Sequence, residues 1–85
     1  MKRKAEETER FIKDRQRLSF EENEALDQEV DKLCKDPTIG QKRNFIGQNM
    51  YSYIYSDRQG SKFIGYEDLG KSIRFHIVKI RSMHI

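Results

Sequence analysis

The second half of this 85-residue chain gathers the groups that hold phosphates and stack on bases. Residues 41–85 carry Lys42, Arg43, Arg58, Lys62, Lys71, Arg74, Lys79 and Arg81 against only Asp57, Glu67 and Asp68, a balance of +5. Tyr51, Tyr53, Tyr55, Tyr66, Phe45, Phe63 and Phe75 lie in the same stretch. Cations attract phosphates by releasing counterions, and aromatic faces stack on unpaired bases. The competing reading is plainer: sheets favour aromatic residues for packing, and the charges are ordinary solvated side chains. Groups able to move a proton near neutral pH are His76, His84 and, more weakly, Tyr66. Other chemistries find little to stand on. No serine–histidine–acid order, paired-carboxylate site, glycine-rich dinucleotide motif or P-loop is present. The lone Cys34 cannot form an internal disulfide, and no Cys/His cluster suggests a metal, so neither metal nor cofactor is expected.

Residues 1–40 hold nine Lys/Arg against eleven Asp/Glu, so the basic character belongs to the second half alone. Apolar runs are too short for a membrane-spanning helix, and the basic start MKRKAEETER has no apolar segment behind it, unlike a secretory signal. A single domain over residues 1–85, in a reducing cytoplasm, is the expectation.

The elements that would position the basic and aromatic groups follow from periodicity. Thr8 is a candidate N-cap for a short amphipathic helix through Phe11, Ile12 and Leu18, expected to dock without deep burial. Ser19 with Glu22 three residues on forms a capping-box pattern before FEENEALDQEVDKLCK, where Leu26, Val30 and Leu33 share one face. Asp36-Pro37 ends that helix. Gly40 and Gly47 then bracket an irregular connection, QKRNFI. In NMYSYIYS the period is two: Met50, Ser52 and Ile54 on one side, Tyr51, Tyr53 and Tyr55 on the other. The period does not say which side is inside. If Met50 and Ile54 face the helices, the tyrosines form an exposed ladder for bases or a partner; otherwise they are core. A turn at Asp57-Arg58-Gln59-Gly60, a strand over 61–66, a turn at 68–71 and a last strand SIRFHIVKI complete a meander. The last strand places Ile73, Phe75 and Ile77 opposite Arg74, His76 and Val78. These elements give an α+β fold: an N-terminal helical hairpin packed on a three-stranded antiparallel sheet, with a fourth strand left open. Leu26, Val30 and Leu33 should meet Ile73, Phe75 and Ile77 across the interface.

The order of helix, helix and strand meander resembles the RelE/ParE superfamily of bacterial toxins. The segments ETERFIKDRQRL, ALDQEVDKLCKDPTIGQKR, GSKFIGYEDLGKSI and IVKIR carry the likeness in order and spacing. The resemblance implies the toxin of a type II toxin–antitoxin module, neutralised by a cognate antitoxin. RelE-type members are metal-independent, ribosome-dependent mRNA endonucleases; ParE-type members inhibit DNA gyrase; a binding-only member is the third alternative. For the nuclease, the resemblance assigns catalytic roles to Arg81, His84 and Lys62. RNA contacts would fall to Lys42, Arg43, Arg74, Lys79, Tyr51 and Tyr53. Departures accompany it. The charged residues before Thr8 suit a first strand poorly, and Phe63 stands where nucleases often carry arginine. Lys62 could serve there only after a one-residue shift. Lys79 replaces a glycine, and His84 is the nearest substitute for a terminal tyrosine.

Overall fold

The computed structural model describes residues 2–43 and 49–81. The first strand, β1 (Lys4–Glu7), leads directly into α1 (Glu9–Gln16), which starts where Thr8 accepts a hydrogen bond from the Phe11 amide. The longer α2 (Phe20–Lys35) opens on the capping box read from the sequence. The Ser19 amide donates to the Glu22 carboxylate at 2.9 Å and the Glu22 amide to Ser19 Oγ at 3.1 Å, satisfying two otherwise unpaired donors. Arg15 ties the hairpin to β1: Nε donates to Asn23 Oδ1 and Nη1 to Glu7, both at 2.9 Å, while Nη2 reaches Asp27. At the far end of α2, Asp36 accepts from the Thr38 amide and caps a single 3-10 turn, Pro37–Ile39.

The sheet strands that follow are β2 (Gln41–Lys42), β3 (Met50–Asp57), β4 (Gly60–Asp68) and β5 (Ser72–Ile80). The order is β1-β5-β4-β3-β2. Two expectations need correction here. The sheet has five strands rather than three or four, and it is mixed, because β1 runs parallel to β5. KAEE forms a strand despite its charge because its backbone has a ready partner. The Lys4 amide donates to the Lys71 carbonyl and the Thr8 amide to the Phe75 carbonyl. Of the connection QKRNFI, the first two residues form β2, and residues 44–48 lie outside the described part.

Both helices cover one side of the sheet. Leu26, Leu33, Cys34 and Phe11 are buried there against Ile64, Tyr66, Ile73, Phe75 and Val78, with Val30 packed at the margin. Phe11 is fully enclosed and its ring meets Phe75 at 5.6 Å, so α1 docks more deeply than its narrow apolar face suggested. Ile77 does not join this core; Val78 does. The cause is a register break between β4 and β5. Gly65 pairs with Ile77 but Tyr66 pairs with Phe75, leaving His76 as the extra residue of a β-bulge.

The tyrosine row is part of the core as well. Tyr55 is buried, Tyr51 stacks on Tyr66 at 5.3 Å, and Tyr53 donates its hydroxyl to Glu29 at 2.7 Å. The exposed aromatic ladder therefore does not form. Tyr66 donates to the Pro37 carbonyl at 2.6 Å, and a β-carbon on Gly40 would lie 2.1 Å from that hydroxyl, so only glycine fits there.

Candidate functional site

The side of the sheet without helices is built from alternate residues of β3, β4 and β5. Cross-strand register places Ser56 beside Ser61, Ile54 beside Phe63 and then Lys79, Ser52 beside Gly65 and then Ile77, and Met50 beside Glu67 and then Arg74. The Arg81 amide continues the ladder by donating to the Ser61 carbonyl at 2.8 Å.

The bulge decides which cations share this face. In an unbroken β5 the pleat would put Arg74 and His76 on one side and Lys79 and Arg81 on the other. The extra residue at His76 inverts the alternation, so Arg74, His76, Ile77, Lys79 and Arg81 all belong to the helix-free side. Sequence reading had no access to this inversion, because Ile77 and Val78 are both apolar and either can be core.

The face has two electrostatic ends. At the β1 end the charges are paired: Arg74 Nε lies 3.3 Å from Glu6 and Nη1 3.8 Å from Glu67, and His76 Nε2 is 3.0 Å from the same Glu67 oxygen. The Ser72 hydroxyl, then Arg74, hold the Glu6 carboxyl below its ordinary range. At the opposite end Lys79 and Arg81 are exposed and make no ion pair among the described residues. Arg43 reaches over from the end of β2, donating from Nε to Ser52 Oγ at 2.8 Å.

The other residues singled out from the sequence go elsewhere. Lys62 points to the helix side, 1% exposed, with its ammonium 2.6 Å from Asp57 and 2.8 Å from Glu22. Burial opposes its charge, but hydrogen bonds to Asp57 and Glu22 outweigh that and raise its pKa. The one-residue shift that would bring Lys62 to the open face does not occur, which corrects its inclusion among the catalytic candidates. Lys42 pairs with Tyr51 and so lies on the helix side, parted from Arg43. Tyr51 and Tyr53 are likewise on the helix side, half-buried, which corrects their inclusion among exposed RNA contacts. His84 lies outside the described residues. Thus Arg81, Lys79, Arg74 and Arg43 share the open face, the first two at one end of it and the last two in the row of Met50 and Glu67 at the other, while Lys62, Lys42, Tyr51 and Tyr53 do not join them.

Sequence reasoning passed over Glu6 and Glu67 as the partners of Arg74 and His76, and over Phe63 and Ile54 as the apolar centre of the face. Glu67 was reachable, since it follows Phe63 and Gly65 at alternate positions of β4. Glu6 was not, because its role depends on a parallel pairing 68 residues away. No group of His, Cys, Asp and Glu side chains among the described residues could hold a metal ion.

No family model matches the chain, and no curated protein sequence matches it. Its fold does have a solved counterpart. The structure of the E. coli toxin RelE, a variant with two arginines changed to alanine and bound to a peptide of the antitoxin RelBc, superposes with a TM-score of 0.75. The match covers 98% of this chain and 87% of the RelE chain at 15% sequence identity. The chain therefore has a RelE-like fold.

Proposed function

We propose that this protein is the toxin of a type II toxin–antitoxin module, acting in the cytoplasm as a metal-independent endonuclease on mRNA held by the ribosome. The observation that carries this reading is the placement of Lys79 and Arg81 together on the open face of a RelE-like sheet. Cleavage of this kind uses the RNA as its own nucleophile. The ribose 2′-oxygen attacks the adjacent phosphorus, its proton passes to a base, and the bond from phosphorus to the 5′-oxygen breaks as that oxygen gains a proton. The products are a 2′,3′-cyclic phosphate and a free 5′-hydroxyl, and DNA is spared because it has no 2′-hydroxyl. Arg81 would offset the charge that builds on the phosphoryl oxygens, with its planar fork suited to two of them at once. Lys79 would hold the neighbouring phosphate, and Arg43 and Arg74 would meet phosphates farther along the face by exchanging their present partners, Ser52 for the one and Glu6 and Glu67 for the other. His76, held by Glu67, is the described side chain on this face best suited to proton transfer. An antitoxin segment would neutralise the protein, as a peptide of RelBc is bound to RelE in the solved counterpart.

One observation favours a second reading. The open-face positions of β4 are Ser61, Phe63, Gly65 and Glu67, none of them basic, so the middle strand adds no cation to the site. A gyrase inhibitor or a binding-only member of the same fold needs no such cation. The test is to express the wild type and Arg81→Ala, map mRNA ends on translating ribosomes, and assay gyrase supercoiling in parallel. The nuclease reading expects new mRNA ends that vanish in Arg81→Ala. Gyrase inhibition without RNA cleavage would replace it.

A further inference from the structure

The open face has an apolar centre that the proposed cleavage chemistry does not use. Phe63 is partly exposed there, flanked by Ile54, which is 49% exposed, and by Lys79. A sheet face left open to water ordinarily carries polar residues, so an aromatic ring at its middle that no described residue covers completely points to a ligand. Beside it, Gly65 contributes no side chain, and Ile77 lies across that position, 2.9 Å from where a β-carbon would be.

Charge on the face narrows the ligand. Arg74 is engaged by Glu6 and Glu67, and Arg43 is bonded to Ser52. Lys79 and Arg81, one strand away from Phe63, make no ion pair among the described residues. Same-face neighbours on a strand stand about 7 Å apart. Ring and cations thus fall within the span of one nucleotide, a planar apolar base with an anion attached. An acidic helix would need a longer footprint and would meet Glu67 and Glu6 at the far end.

We propose that Phe63 is a stacking platform for one unpaired base of a single-stranded RNA, with Lys79 and Arg81 holding the phosphates beside that base. The proposal deepens the reading of this face as an RNA site and rests on it. It also gives the phenylalanine in β4, where the resemblance leads one to expect arginine, a positive role as the surface on which a base stacks.

The test uses the full chain and a fluorescently labelled 2′-O-methyl RNA octamer of mixed sequence, which has no free 2′-hydroxyl and cannot be cut. Anisotropy at low salt should show Phe63→Leu binding about 10-fold more weakly than wild type. The salt slope should fall by about 0.7 in Lys79→Ala and again in Arg81→Ala. The chain has no tryptophan, so Phe63→Trp places a single indole at the site. That variant should bind at least as tightly as wild type, with its fluorescence quenched by the RNA. It also serves if Phe63→Leu fails to fold. Wild-type affinity in Phe63→Leu, an indole unquenched in the bound complex, or no binding of the octamer would each overturn the proposal. So would equal affinity for a poly-glutamate peptide that is indifferent to Phe63, which would make the face a docking site for acidic protein. Ribosomal cleavage that survives alongside a silent Phe63 would leave the nuclease reading standing and remove only the stacking. Phe63-dependent RNA binding without ribosomal cleavage would do the reverse.

Discussion

Two lysines on neighbouring strands meet opposite fates because they face opposite sides of one sheet. Lys62 points toward the helices, where it is enclosed and bridges Asp57 on β3 to Glu22 on α2. Lys79, paired through the backbone with the very next residue, Phe63, points into solvent. The helix side is a construction of aromatic rings and one buried ion trio; the open side keeps cations, two acids and a thin apolar strip. Residue type alone says little about role here. The pleat and one bulge say more.

The contrast is broken most severely from the helix side. Phe11→Ala should lower unfolding free energy by about 3–5 kcal/mol, since it empties a fully enclosed site against Phe75. Urea titration showing a loss below about 1 kcal/mol would mean that α1 is not anchored as described. Lys62→Met should cost about 2–4 kcal/mol, because two largely buried carboxylates lose their shared partner while retaining some access to water. A neutral Lys62→Met would return that lysine to the class of ordinary surface charges.

Acid should find the same trio. Hydrogen bonding to Lys62, then to the Ser19 amide, holds the Glu22 pKa below its ordinary value. Its contribution to stability is therefore complete above the unfolded carboxylate pKa and is lost as pH falls through the lower folded value. Lys62 behaves in mirror fashion: its pKa is raised, so its contribution persists below the ordinary lysine value and is lost only as pH climbs through the higher folded one. Unfolding free energy followed from about pH 7 to about pH 2 should fall on the acid side, and Lys62→Met should flatten that limb. An acid limb of the same depth in both proteins would assign it to other carboxylates.

Gly65→Ala sharpens the comparison from the open side, with an expected loss of about 1–2 kcal/mol as Ile77 is pushed aside. Smallest of all is Arg81→Ala, where the unfolding midpoint should stay within about 0.5 kcal/mol of wild type. On the nuclease reading proposed above, the same substitution should abolish growth inhibition on expression. A folded Arg81→Ala protein that remains fully toxic would separate the open-face cations from function.

Much of the scaffold was legible because its signals are local. The Ser19–Glu22 capping box, the Asp36-Pro37 stop and the span of β5 each depend on residues a few positions apart, and each is found where the sequence puts it. The general fold class was legible for the same reason. What escaped depends on distant partners. The strand KAEE has no alternating apolar pattern, since Glu6 turns to Arg74 and Glu7 to Arg15; only β5 makes it a strand. The side taken by the tyrosines was undecided because Met50 and Ile54 are as apolar as the row opposite them. The burial of Lys62 needed two acids from two other elements. The site was less legible than the fold, since its membership turns on a single inserted residue in a strand whose composition hides the insertion.

The pairing of β1 with β5 also sets a timetable for synthesis. Residues 4–7 are made well before their partners, residues 72–75. Until that final strand leaves the ribosome, the amides of Lys4 and Thr8 have no strand to bond and Phe11 has no ring to pack against. The antiparallel hairpin of β3 and β4 can close early; the N-terminal edge cannot, and contacts of such long sequence separation are slow to form. Arg81 follows directly on β5, so the open face acquires its unpaired Lys79 and Arg81 only once the strand that joins the sheet's two halves has been made.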